Sequence, residues 1–440
     1  MRNTRWPILP AILLAAAGPL GAKVSLRQAV ERAWAQSPAV ERQLLGEEAA
    51  GIGLRYALRQ RFFRLEGGGS YRFSSDAVEV TAKDFPLLPS DLSIPDSLVL
   101  LSAPHDFYDL KLSLVQPIYA GGAIKQAIRM EEIKGVLERK RTELAKNDLA
   151  GQVESSFLTY RLLQAKRDSL SRLLDTLGLH LKKVEAFVRE QLVRRSDLLE
   201  TRSKMDEVLI NLVDISQQIE QERVSFQTLC GLDPEEVDAS SLEPVGTIEE
   251  SLAAFNQSHP LLAAFEEQGR LVEAGRLAAA AGRKPQLAAA YELHYGNPGV
   301  NFFKKEWSLY VQAGLTLTVP LINRSQADRD MALREVENRK LASQREDFIR
   351  ETEKGLMQVY GMKSALAAKQ TLAEDLIRDA EEEARLKDSL YRESQISNLD
   401  YLAAVANLAK YRSLKAELEV QQNLVDVRIQ MLIGRGGAAQ

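Results

Sequence analysis

The sequence predicts a mainly α-helical chain, internally duplicated, whose long helices carry short β-hairpins suited to a membrane. Three observations predict it. Leu112-Ser113-Leu114-Val115-Gln116-Pro117-Ile118 recurs as Leu315-Thr316-Leu317-Thr318-Val319-Pro320-Leu321, 203 residues on. Apolar residues recur in heptads through long proline-free stretches. Four short segments alternate apolar and polar residues instead.

The first residues are set apart from this pattern. Arg2 and Arg5 precede an apolar run over residues 8–20, closed by Leu20-Gly21-Ala22. That is the layout of a cleaved secretory signal, so residues 1–22 are expected to be removed. The remainder carries 55 basic against 61 acidic residues, a balance that argues against nucleic-acid binding. No later stretch is apolar enough for a membrane helix, so a membrane role would have to use strands. The single cysteine, Cys230, excludes an intramolecular disulfide and reads as a small core residue.

The repeat places the remaining elements. Arg189-Glu190 matches Arg392-Glu393, and Asp197, Leu199 and Gly231 match Asp400, Leu402 and Gly434, all at 203. Upstream, Ser37-Pro38 matches His259-Pro260 at 222. A constant spacing over this length favours helices packed in register, because loops tolerate insertions and such helices do not. The first copy is expected over residues 23–231, with a β-hairpin at 65–119 and a helical hairpin at 122–231. A linker follows at 232–247. The second copy spans 248–440, with its β-hairpin at 287–320 and its helical hairpin at 323–434.

From residue 198 a seam runs Leu198, Thr201, Met205, Val208, Leu212, Ile215, Ile219, Glu222, Phe226 and Leu229. In the second copy it runs Tyr401, Ala404, Leu408, Tyr411, Lys415, Leu418, Gln422, Val425, Ile429 and Leu432. Both have coiled-coil spacing. The uninterrupted helix expected from residue 123 to about 188 would be on the order of 100 Å long.

The alternating segments centre on Leu65–Phe73, Tyr108–Leu114, Leu287–Tyr295 and Leu309–Leu317. Each approaches the length of a tilted membrane strand, apolar on one face and polar on the other. Tyr71, Phe73, Phe107, Tyr108, Tyr295 and Trp307 cluster at one end, as an interfacial girdle would. Residues 74–106 read as a long loop rich in Pro, Asp and Ser. Four strands cannot close a barrel in lipid, so several chains would have to complete it.

Enzyme signals are weak. His105, His180, His259 and His294 are scattered without metal-ligand spacing, and no phosphate loop or nucleophile elbow occurs. Glu381-Glu382-Glu383 reads as a solvated helix face. No catalytic residue, metal or cofactor is expected. Ser196-Asp197 can cap a returning helix.

In its order of elements the chain resembles the TolC family of outer-membrane efflux and secretion channels. The resemblance rests on the duplication, the hairpin before each long helix, the junctions Val115-Gln116-Pro117-Ile118-Tyr119-Ala120-Gly121-Gly122 and Val319-Pro320-Leu321, and the two helix reversals. The family's reversal usually carries a Gly followed six places on by Asp. Here Asp197 and Asp400 match, while Gln191 and Ser394 stand in place of the Gly. The resemblance implies a homotrimer with a twelve-stranded outer-membrane β-barrel, an α-barrel of periplasmic helices, and no enzymatic activity. It further implies docking to a periplasmic adaptor, coupled to an inner-membrane pump, through Gln191, Leu192, Val193 and Arg194 and through Ser394, Gln395, Ile396 and Ser397. Tyr391 and Asp197 would link neighbouring helical hairpins in the closed state, and Asp400 would line the periplasmic constriction. The alternative from another class is a periplasmic coiled-coil adaptor or structural protein without a barrel.

Overall fold

A computed structural model describes residues 24–81, 98–238, 245–321, 325–393 and 395–435. The expected signal segment and Ser394 lie outside the described residues. In chain order the elements are β1 (Val24–Ser25), α1 (Leu26–Gln36), α2 (Pro38–Arg59), β2 (Arg64–Phe73), β3 (Glu79–Thr81), β4 (Val99–Ser102) and β5 (Asp106–Tyr119). The long helices α3 (Ala123–Arg189) and α4 (Arg195–Cys230) follow, then a 3-10 turn, Pro234–Glu236, and β6 (Val237–Asp238). The second set is α5 (Ile248–Ser258), α6 (Pro260–Ala281), β7 (Gln286–Asn297), β8 (Ser308–Thr318), α7 (Ser325–Arg392) and α8 (Asn398–Leu432). Among the described residues no helix is long and apolar enough to cross a membrane.

Local chemistry explains the paired elements. Ser25 and Gln28 form a capping box at the start of α1; Thr247 and Glu250 form the same box, 222 residues on, at α5. Pro38 and Pro260 open α2 and α6, where the missing N–H costs nothing and the ring pre-sets a helical φ. α4 and α8 run into Gly231 and Gly434, at φ 68° and 75°. That left-handed conformation suits glycine, and at Gly231 a Cβ would come within 2.7 Å of Gln36 Oε1. With 67 and 68 residues, α3 and α7 are each about 100 Å long at 1.5 Å per residue.

The chain forms two compact units. The first comprises residues 1–42, 142–260 and 349–440. In it α1 buries Leu26, Ala29, Val30 and Ala33 against Leu149, Val153 and Phe157 of α3 and Phe226 and Cys230 of α4. Trp34 Nε1 donates to the Lys146 carbonyl at 2.9 Å. β6 pairs in parallel with β1, Val24 opposite Val237, so the expected linker carries a strand. All ten seam positions of α4 are buried or half-buried, and so are all ten of α8. A second cluster forms near the helix reversals from Leu173, Leu177, Val184, Val208, Tyr391, Tyr401, Leu402 and Val405.

The second unit comprises residues 43–141 and 261–348. Ile133 and Leu137 of α3 pack on Ala274 of α6. Its sheet has the order β2-β5-β7-β8, every neighbouring pair antiparallel. Residues 74–106, expected as a loop, contain the β3–β4 pair, and β5 already begins at Asp106.

Candidate functional site: a two-faced sheet and two helix reversals

Register sorts the sheet into faces, because side chains alternate along each strand and partners across a ladder share a face. Gly67, Leu112, Leu293 and Val311 align across the four strands, as do Gly69, Leu110, Tyr295 and Leu309. This face is apolar, and much of it is bare: Leu110 is 56% exposed, Leu315 71% and Leu317 64%. Leu112 is exposed and Leu114 half-buried on the same face. At its far end Tyr71, Tyr108, Trp307 and Tyr295 form a ring-to-ring ladder, with centroids 5.1, 6.0 and 4.9 Å apart. The Tyr71 hydroxyl donates to Asp106 Oδ1 at 2.8 Å. Phe107, expected in this girdle, lies on the opposite face. It is paired in register with Arg72, whose guanidinium sits 4.6 Å from its ring centroid.

The near end of the strands carries a second apolar rim. Phe62, Phe63, Ile118, Tyr119 and Leu321 are all exposed there. In the sequence its only mark is the Phe62-Phe63 doublet immediately before a strand.

The other face is polar. Lys111, His294 and Tyr310 align, next to Ser113, Glu292 and Gln312. Glu292 accepts from Ser113 Oγ at 3.1 Å and lies 3.5 Å from Lys111 Nζ. His294 Nδ1 sits 3.0 Å from Asp109 Oδ1, and its ring stacks on Tyr310 with the planes 2° apart. Thr316 shares this face. The sheet's edges are β2 and β8.

The helix reversals belong to the other unit. Gln191 adopts φ 60°, the left-handed conformation that glycine usually supplies. The turn closes with Gln191 N–H on Val188 O at 3.1 Å and Leu192 N–H on Phe187 O at 2.8 Å, a Schellman pattern. The second reversal has the corresponding outer bond, Gln395 N–H on Leu390 O at 2.9 Å. Gln191, Leu192, Arg194, Gln395 and Ser397 are exposed, whereas Val193 and Ile396 are half-buried against the nearby cluster. The two reversals thus share one design: a half-buried anchor with exposed neighbours.

Asp197 does not cap α4 with its side chain. The cap position is Arg194, which makes no side-chain cap bond, and Asp197 Oδ1 instead accepts from Ser196 Oγ at 3.3 Å. Asp400 does cap. It closes a box with Ser397, accepting from that residue's Oγ at 2.6 Å while its own N–H donates to the same oxygen at 3.2 Å. These bonds hold the Asp400 carboxyl below its usual range. Tyr391 is 4% exposed, and its Oη has no hydrogen-bond partner among the described residues. Burial first, then the charges of Asp197 and Glu200, push its pKa up to about 12. Tyr391 and Asp197 therefore lie within electrostatic reach without a bond inside one chain.

A buried network behind the reversals was not legible in the sequence. His180 Nε2 lies 2.7 Å from Asn398 Oδ1, and Asn398 Nδ2 reaches Thr201 Oγ1 at 3.2 Å and the Asp197 carbonyl at 3.1 Å. Among the described residues no group of His, Cys, Asp and Glu is arranged to hold a metal ion.

No protein-family model matches the chain, and no curated protein matches it in sequence. Solved structures do. VceC, an outer membrane protein of Vibrio cholerae, superposes with a TM-score of 0.72 at 16% identity, over 94% of this chain and 97% of that one. CusC, described for its transmembrane channel formation, gives 0.76 at 14%, over 99% of both. The open state of the Neisseria gonorrhoeae MtrE outer membrane channel gives 0.71 at 15%, over 95% of this chain and 91% of that one. Long helices, a two-faced antiparallel sheet and this likeness give the chain the TolC-like fold of outer-membrane channel proteins.

Proposed function

We propose that the protein is the outer-membrane channel of an export system, a passive conduit and not an enzyme. The observation that carries the reading is the sheet. Its apolar face is exposed and rimmed by aromatic residues at both ends, its other face is polar, and its edges are open. In water such a face would be costly, at roughly 25 cal/mol per Å² of apolar surface. Against lipid the cost disappears, provided that the open edges are paired. Four is an even number of antiparallel strands, so a homotrimer would close a twelve-stranded barrel with β2 of one protomer beside β8 of the next. The polar face would then line the lumen. An adaptor without a barrel would leave the apolar face wet, which disfavours that alternative.

In this reading residues 1–22 direct secretion, the barrel sits in the outer membrane and the helices extend into the periplasm. The exposed residues at the reversals, with Ser394, meet a periplasmic adaptor that couples the channel to an inner-membrane pump. The structures similar to this chain include outer membrane channels, and export is the function that fits a passive conduit. The test is threefold. The protein should fractionate with outer membranes, and light scattering corrected for detergent should find a trimer. Cysteines at Arg194 and Gln395 should cross-link to an adaptor while cysteines at Leu315 do not. A monomer that conducts ions in a bilayer would sink the trimeric barrel.

A further inference from the structure

The buried network behind the reversals joins four helices at one histidine. His180 of α3 is 1% exposed, and Asn398, the first residue of α8, is 2% exposed. Tyr401 of α8 and Tyr391 of α7 flank the imidazole, with ring centroids 4.3 and 5.0 Å away. Thr201, on α4, is fully buried and shares Asn398 with His180.

Polarity assigns the proton. Asn398 Nδ2 donates to α4, at the Asp197 carbonyl, Thr201 Oγ1 and Glu200 Oε2, so Asn398 Oδ1 must accept. His180 Nε2 therefore carries the hydrogen. The lone pair sits on Nδ1, which is buried and without a hydrogen-bond partner among the described residues. This arrangement tolerates only the neutral ring. A second proton would land on Nδ1, a donor with no acceptor, inside a cage of two tyrosines.

The charges around the ring do not rescue it. Lys183, on the same helix, repels an imidazolium. Asp388 of α7 attracts one, but it is already paired with Lys183 at 3.1 Å and with Arg392. Glu200 and Asp197 of α4 face Asn398 and Tyr391.

We infer that His180 is a positioning residue of the periplasmic gate: its neutral, Nε2-protonated ring latches the two helical hairpins of one chain together through Asn398, and acid releases the latch. The inference rests on the channel reading above. Desolvation, as the largest cause, lowers the His180 pKa, with Lys183 adding to it and Asn398 and Asp388 opposing it. The latch is thus complete at neutral pH and lost as the pH falls below the histidine range.

The test uses the full chain solubilised in detergent, wild type against three variants. His180→Gln keeps a donor for Asn398 and does not titrate. His180→Phe keeps the stacking and loses the donor, and Asn398→Ala removes the acceptor. Hydrogen-exchange protection factors at the Leu192 and Gln395 amides, corrected for intrinsic rates, are read between about pH 7.5 and 5. Wild type should lose protection roughly tenfold on acidification, the scale of one buried hydrogen bond. His180→Gln should stay protected throughout, while His180→Phe and Asn398→Ala should be unprotected throughout. Bilayer conductance should rise in the same order. A His180→Gln protein that titrates like wild type overturns the latch, as does a His180→Phe protein protected like wild type. If His180→Phe does not assemble, wild type against His180→Gln decides alone. Protection that follows the expected order in a protein that never conducts upholds the latch and overturns the channel.

Discussion

The Leu192 amide donates to the Phe187 carbonyl at 2.8 Å, closing a turn in which Gln191, not glycine, holds a φ of 60°. A side chain in that conformation costs about 1–2 kcal/mol through the clash of Cβ with the following carbonyl. The backbone bonds on either side over-determine the turn and hold it there.

Gln191→Gly should therefore stabilise the first reversal by roughly 0.5–1 kcal/mol, the relieved strain less the added freedom of the unfolded chain. Gln191→Val should destabilise it, because branching at Cβ deepens the clash. Exchange protection of the Leu192 amide is the local measurement. Equal protection in the two variants would show that the turn tolerates any side chain and that its geometry is set elsewhere.

The facing of the sheet separates two adjacent residues. Leu112 is exposed on the apolar face, and Lys111 lies on the polar one beside Glu292. Leu112→Arg should cost roughly 2–4 kcal/mol if the residue sits near the bilayer midplane. Lys111→Arg should be nearly neutral, since the pair with Glu292 is open to solvent and worth little. Yield of folded protein in lipid vesicles reads the difference. Similar losses at both sites would mean that the face assigned to lipid is wrong.

Glu154 of α3 is buried, and one of its carboxylate oxygens has no hydrogen-bond partner among the described residues. Burial raises its pKa from 4.5 to about 7. The folded state thus holds a proton that the unfolded state gives up between those values. Its contribution is most favourable below pH 4.5 and is lost as the pH rises to 7, by roughly 3 kcal/mol at most. Glu154→Gln should remove this slope and make the protein more stable than wild type at pH 8. Urea unfolding across that window is the check, and parallel pH profiles for the two proteins would refute the buried, protonated carboxyl.

The parts of this molecule that sequence could reveal are those with a period. The seam from Leu198 to Leu229 was legible because one buried stripe recurs every seven residues, and the strands because apolar and polar residues alternate over nearly ten. β3 and β4 were not, because three or four residues among prolines and acids are too few to establish alternation. The Val24–Val237 pairing is shorter still. His180 and Asn398 meet across 218 residues of sequence, a contact created by helix packing that no local pattern encodes. The resemblance points to Tyr391, but that its hydroxyl has no partner among the described residues follows only from helix packing. At residue 191 the turn persists without the glycine because its hydrogen bonds belong to the backbone.

Asp400 caps a helix and is proposed to line the constriction, and the two roles can be pulled apart. In the structure its carboxylate caps α8 through Ser397 and is exposed. In the proposed trimeric channel three such carboxylates would also ring the constriction and favour cations. Capping needs an acceptor oxygen, whereas selectivity needs a charge. Asp400→Asn keeps an acceptor and removes the charge, so it should fold normally and lose cation selectivity and block by divalent cations. Ser397→Ala keeps the charge and weakens the cap, so it should cost about 1 kcal/mol and leave selectivity intact. Reversal potentials in a salt gradient measure the first property, and thermal unfolding measures the second. Should Asp400→Asn keep wild-type selectivity, the carboxylate is a cap alone and the constriction lies elsewhere. Should Ser397→Ala abolish selectivity while the protein stays folded, the cap itself orients the ring, and the two roles are one.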